Sequence, residues 1–144
     1  MKLEDIVNLW KDDSKVDVTE LGRASLHIPE LHHKYFKILS AERLTLRSLE
    51  RDYKTLYRAK YEYYTGVMDQ ESLTKLGWEP WALKVLKQDI PMYLESDPDM
   101  STVQSKIDIQ KEKIELLESV IKMIINRGFQ IKNAIDWEKF KVGA

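Results

Sequence analysis

The stretch Pro29–Tyr64 constrains this chain more than any other: 36 residues opened by a proline, with no further proline and no glycine. Proline is well suited to the first position of a helix, where its missing N–H is not needed. Gly66 supplies the matching C-terminal stop. Fully helical, the stretch would reach about 54 Å. A compact chain of 144 residues cannot cover such a helix on its own outline. It needs partner helices, from the same chain or from another copy. Tyr35, Leu39, Leu46, Leu49, Tyr53, Leu56 and Tyr63 mark a heptad-like apolar seam, interrupted by Glu42 and Lys60.

The same helix carries a second pattern. Arg43, Arg47, Arg51, Lys54 and Arg58 recur at steps of four, four, three and four, so at 100° per residue they share a sector of about 80°. Tyr57 and Tyr61 fall at the border between this ridge and the apolar seam. Residues 43–60 hold six Lys or Arg against two acids, whereas the whole chain has 23 basic and 24 acidic residues. Positive charge is therefore concentrated here. A cationic ridge edged with aromatics has the parts needed to follow a polyanionic strand and stack its bases. A solvated face of an amphipathic helix would show a similar pattern. Lys60 lies about 200° round from Arg58, within the apolar sector. Three placements remain open for it: a helix that unwinds before Gly66, a reach toward the strand from a neighbouring subunit's side, or snorkelling without nucleic-acid contact.

The rest of the chain reads as shorter helices around a second long one. Leu3, Ile6, Val7 and Trp10 predict an N-terminal amphipathic helix ending near Asp12–Ser14. Thr19 can cap a short segment that Gly22 and Pro29 disturb. Residues 67–99, with Gly77, Pro80, Pro91 and Pro98, predict loops and one short helix over Pro80–Asp89. Their acidic end (Asp89, Glu95, Asp97, Asp99) reads as a solvated loop or a protein-docking surface. Ser101 is expected to open the second long helix. Along it Val103, Ile107, Ile114, Leu117, Ile121 and Ile124 alternate by four and three, with Gln110 as the polar exception. This seam suits either an intramolecular bundle core or a self-association interface. Gly128 is expected to stop or kink the helix before a last amphipathic one bearing Phe129, Ile131, Ile135, Trp137 and Phe140. The expected organisation is thus 1–66, an N-terminal helical region with the candidate strand-binding ridge; 67–100, an irregular hinge; and 101–144, a C-terminal oligomerisation region.

Composition narrows the function classes. Five glycines and four prolines are too few for a turn-rich β fold, so the chain is expected to be all-α. The glycines are also too far apart for a P-loop or a dinucleotide fingerprint. There is no cysteine, hence no disulfide and no thiolate chemistry. His27, His32 and His33 make no HxxxH pair, and the carboxylates are scattered along charged faces. No metal site, cofactor or catalytic constellation is therefore expected. Trp10, Trp78, Trp81 and Trp137 are expected to anchor cores or interfaces. No apolar run approaches a membrane span, and MKLEDIVNLW is acidic rather than signal-like.

Two segments carry a family likeness: YRAKYEYYTG (57–66) and NRGFQIKNAIDWEKFKVG (126–143). With the opening MKLEDI, the run Arg58-Ala59-Lys60 before Tyr63-Tyr64-Thr65-Gly66, and Arg127-Gly128-Phe129 before Ile131-Lys132, the sequence resembles the UvsY family, recombination mediators of T4-like phages. The likeness runs end to end and is weakest over 67–105. It implies a non-enzymatic homo-oligomer, a hexamer or heptamer forming a ring or barrel, in the cytoplasm of an infected bacterium. Such a protein binds single-stranded DNA and helps load a RecA-like phage recombinase onto strands covered by the phage single-strand-binding protein. The resemblance places DNA contact at Arg58 and Lys60 and self-association in the C-terminal region. The rival expectation is a helical oligomeric scaffold that binds no nucleic acid. A carboxylate–metal hydrolase stands a distant third.

Overall fold

The computed structural model describes residues 1–143. Five α-helices and one 3₁₀ turn follow one another: α1 Leu3–Asp13, α2 Leu21–Tyr64, α3 Gln70–Leu76, the 3₁₀ turn Lys87–Asp89, α4 Ile90–Ser96 and α5 Pro98–Lys141. Among the described residues there is no strand, so the fold is all-α as the composition predicts. None of the described helices is long and apolar enough to cross a membrane.

Each helix end has a local cause. At α1 the backbone N–H of Lys2 donates to Asp5 at 2.9 Å. Before α2, Asp17 takes the backbone N–H of Thr19 at 2.9 Å and its hydroxyl at 2.6 Å, a side-chain turn that sets the direction of entry. Helix α2 ends where expected: Gly66 adopts φ 77°. Its N–H reaches Tyr63 O at 3.2 Å, and the Val67 N–H reaches Glu62 O at 3.1 Å. These are the two bonds of a Schellman stop. Gly77 closes α3 in the same way, with φ 71°. Helix α5 is opened by Asp97, whose carboxylate accepts from the Asp99 and Met100 N–H groups at 2.9 and 3.1 Å, with Pro98 in the first helical position.

Several boundaries differ from those the sequence predicts. Helix α2 starts at Leu21, so Pro29 lies inside it. Pro29 and Ser25 are both exposed, and water can serve the Ser25 carbonyl that the missing N–H leaves free. Gly128 neither stops nor breaks α5, which runs through it to Lys141. A glycine ends a helix only when it takes a left-handed φ, and Gly128 does not. No helix opens at Pro80. Residues 77–86 are irregular, and the short α4 opens at Ile90 with Pro91 in its first turn instead.

The chain forms two compact units: Met1–Thr45 with the stretch from Ile109 onward, and Leu46–Asp108. Each long helix contributes to both.

In the first unit Ile6, Leu31, Tyr35, Leu39, Ile114, Leu117, Val120, Ile124 and Ile131 are buried. Trp10 meets Tyr35 edge-on with centroids 5.4 Å apart. Arg127 donates to the carbonyls of Asp13 and Ser14, each at 3.1 Å, and so serves the end of α1, where helical carbonyls lack partners. Glu42, the first interruption of the α2 seam, is buried. Lys113 meets its carboxylate at 2.9 Å, and Gln110 bonds both its backbone carbonyl, at 2.8 Å, and its carboxylate. The polar exceptions of the two seams thus satisfy each other.

In the second unit the core is Tyr64, Ile90 and Leu94, with Tyr63, Trp81, Val85 and Tyr93 packed on it. Its aromatic pairs are mostly edge-on or tilted, with Tyr64 and Trp81 centroids 4.8 Å apart, the arrangement ring quadrupoles favour.

Candidate nucleic-acid interface

Within the second unit α2 presents Arg47, Arg51, Lys54 and Arg58 to solvent. Arg58 is the most open of the paired cations, its side chain 85% exposed. Among the described residues its one ion pair is with Glu62, one turn on, at 3.2 Å. Exposed pairs of this kind contribute little and are readily exchanged for another anion. Among the described residues Arg47, Arg51 and Lys54 form no ion pair. Arg43 belongs to the first unit, where its Nη2 lies 3.1 Å from Glu118.

The aromatic edge of the ridge is longer than the two tyrosines that the sequence pattern marks. Tyr53, Tyr57 and Tyr61 stand four residues apart, and each step advances 40° round the helix. They form an oblique row from the seam to the ridge. Tyr53 is half-buried, while Tyr57 and Tyr61 are 42% and 40% exposed. The Tyr53 and Tyr57 rings lie 6.4 Å apart at a 35° tilt. Two open phenol faces beside a line of cations can accept stacked bases.

Lys60 is not on this surface. It is 5% exposed, with Nζ 3.1 Å from Asp97 and 2.8 Å from Asp99. It also lies 4.1 Å from the centre of the Trp78 ring, close enough for a cation–π contact. The helix does not unwind, and the ammonium turns inward to partners of its own chain. Tyr64 completes the group, its hydroxyl donating to Asp97 at 2.6 Å. Two of the four acids in the segment expected to be a solvated loop are thereby committed to Lys60. A lysine in an apolar stripe does signal a buried counter-charge. Which of the scattered carboxylates supplies it is set by tertiary approach, which the sequence pattern does not contain.

Burial alone would raise the Asp97 pKa. The hydrogen bonds from Tyr64, the Met100 amide and Lys60 outweigh it and hold the carboxyl below its usual value. Glu42 behaves alike: burial opposes the charge, but Lys113 and Gln110 more than offset it. Both folded pKa values are lowered, so the stability these groups contribute is fully present above their unfolded values near 4 and is lost as pH falls through the lowered ones. Thermal melts should therefore hold a nearly constant Tm down to about pH 4–5 and drop below it. A Tm unchanged to about pH 3 would show that neither carboxylate supports the fold.

The six seam residues of α5 are turned into the chain. Ile107, Ile114, Leu117 and Ile124 are buried, and Val103 and Ile121 half-buried. The apolar side chains that α5 leaves uncovered are others, among them Phe129 at 69%, Trp137 at 57% and Phe140 at 72% exposure. Trp137 and Phe140 stack with centroids 5.5 Å apart.

Residues 9–144 match the family described as "Recombination, repair and ssDNA binding protein UvsY". The recombination protein UvsY of Enterobacteria phage T4 is 24% identical over 143 residues, spanning 99% of each chain. The fold agrees with crystal structures of the phage T4 recombination mediator protein UvsY. Its lattice type IV superimposes with a TM-score of 0.86 at 23% identity, over 97% of this chain and 99% of that one. Lattice type II does so with a TM-score of 0.86, over 99% and 98%. This chain belongs to the UvsY family of recombination, repair and single-stranded-DNA-binding proteins.

Proposed function

We propose that this protein is a recombination mediator. It binds single-stranded DNA as a homo-oligomer and promotes loading of a RecA-like phage recombinase onto strands covered by single-strand-binding protein. The observation that carries the reading is the exposed ridge Arg47–Arg51–Lys54–Arg58 with Tyr57 and Tyr61 along its edge, in a chain whose other segments balance that charge. The cations neutralise phosphates and release counterions, and the phenol faces stack bases whatever their identity. Arg43, in the first unit, is a further phosphate contact that exchanges Glu118 for the strand, its side chain being 44% exposed. Lys60 acts from inside, holding the C-terminal turn of α2 that carries Arg58 and Tyr61.

One ridge offers four or five cations, enough for weak, salt-sensitive binding. Several copies on one strand raise affinity through effective concentration alone. Self-association uses α5 and its C-terminal end, where Phe129, Trp137 and Phe140 are left uncovered for a second copy. A strand drawn along successive ridges is extended. This weakens the hold of the covering protein and presents a template on which recombinase nucleates.

Fluorescence anisotropy of labelled oligo-dT and of duplex DNA, read at several salt concentrations beside sedimentation of the protein alone, tests the reading. The expected result is an oligomer that prefers the single strand, with affinity falling steeply as salt rises. An oligomer that binds neither form at low salt would sink it and favour the scaffold alternative.

A further inference from the structure

The row Tyr53–Tyr57–Tyr61 does not end at the seam. At its half-buried end, inside the second unit, Tyr53 borders an open cleft of about 330 Å³ whose polar lining residues are exposed. That is the lower end of the ~300–1,000 Å³ common for small-molecule sites, a size for one planar ring system rather than a dinucleotide. Tyr53, Leu94 and Met100 give it apolar surface; Glu95, Ser101, Gln104 and Ser105 give it polar surface. No cation lines it. We infer that this cleft receives one unstacked base of the strand bound along the ridge, laid against Tyr53, with preference for a base bearing an exocyclic amino group. The inference rests on the strand-binding reading above.

Three features support a base and argue against a phosphate. The Glu95 carboxylate repels phosphate and attracts an N–H donor. The hydrogen-bonding groups that remain available are mostly acceptors. Gln104 gives its Nε2 to Asp108 at 2.9 Å, leaving its carbonyl oxygen free. Among the described residues the Glu95 carboxylate and the hydroxyls of Ser101 and Ser105 have no protein partner, and hydroxyls can accept as well as donate. The amino groups of cytosine and adenine fit such a set, and the thymine carbonyl at the same position does not. Finally, Lys54 follows Tyr53 in sequence, and Tyr57 lies one turn on. A strand held by the ridge can thus turn one base along the tyrosine row without releasing its phosphates.

The test compares labelled oligo-dC and oligo-dT of equal length, each short enough for one ridge, at matched salt and about pH 8, where cytosine is uncharged. The unmodified protein should bind oligo-dC about fivefold more tightly, a modest value for a single base-edge contact. Ser105→Leu, which fills the cleft, and Glu95→Ala, which removes the acceptor, should each equalise the two strands and leave the salt slope unchanged. Equal affinities in the unmodified protein with a normal salt slope would overturn the base site alone. So would a cytosine preference that survives both substitutions. If neither strand binds in a salt-dependent way, the ridge itself fails, and the base site with it.

Discussion

Replacing Lys60 with methionine is expected to remove about 3–5 kcal/mol of folding stability, the cost of leaving a buried charge without its partner. The group left behind is Asp97, 3% exposed, which would keep only the Tyr64 hydroxyl and two backbone N–H groups. Against a total stability of about 5–15 kcal/mol this is a large loss, visible as a fall in Tm of roughly 10 °C. Adding Asp97→Asn should restore much of it. Asparagine keeps an oxygen for the cap of α5 and carries no charge to be neutralised. The pair of variants also assigns the lysine its role. If Lys60 acts from within, strand affinity should drop as the fold loosens and return in the double variant, with the salt slope unaltered where the protein is folded. If Lys60 touches phosphate, Lys60→Met should leave Tm near its starting value and make the slope shallower by about 0.7. The two outcomes cannot be confused.

Lys60 also shows where legibility in the sequence ends. The α2 seam, its stop at Gly66 and the cationic ridge are local properties, set by spacing along one helix, and the structure reproduces them. Glu42 and Lys60 stand out in the sequence as interruptions of an apolar stripe. What they mean depends on distant residues: Gln110, 68 positions from Glu42, and Asp97, across the irregular segment from Lys60. At such separations periodicity is silent. Buried polar groups paired in this way can fix the register of two packed helices. The α5 seam is equally silent about its partner: an alternating apolar stripe looks the same whether the facing helix comes from this chain or another. Pro29 and Gly128 mislead in the opposite direction. Each is a strong local breaker, and each is carried through a helix 44 residues long. Tertiary packing of such a helix outweighs a local cost of about 1 kcal/mol for a glycine or about 3 for a proline.

The double substitution Arg51→Ala and Arg58→Ala should change binding strongly and folding hardly at all. Both side chains are exposed, and the one ion pair removed is the surface pairing with Glu62, so Tm should move little. If each arginine neutralises one phosphate, the salt slope for single-stranded DNA should become shallower by about 1.4. The same relation sets the affinity. With two phosphates no longer neutralised, binding weakens roughly 60-fold at about 0.05 M salt and about tenfold at about 0.2 M. Tyr57→Ala is the informative contrast. Stacking is worth about 1–3 kcal/mol per base and involves no counterion, so this variant should lose affinity by a factor independent of salt, on an unchanged slope. A ridge that acts only as solvated helix surface predicts none of this. An unaltered slope in the double arginine variant would remove the ridge from the binding site, and a salt-dependent loss in Tyr57→Ala would mean that the ring positions a cation rather than stacking a base.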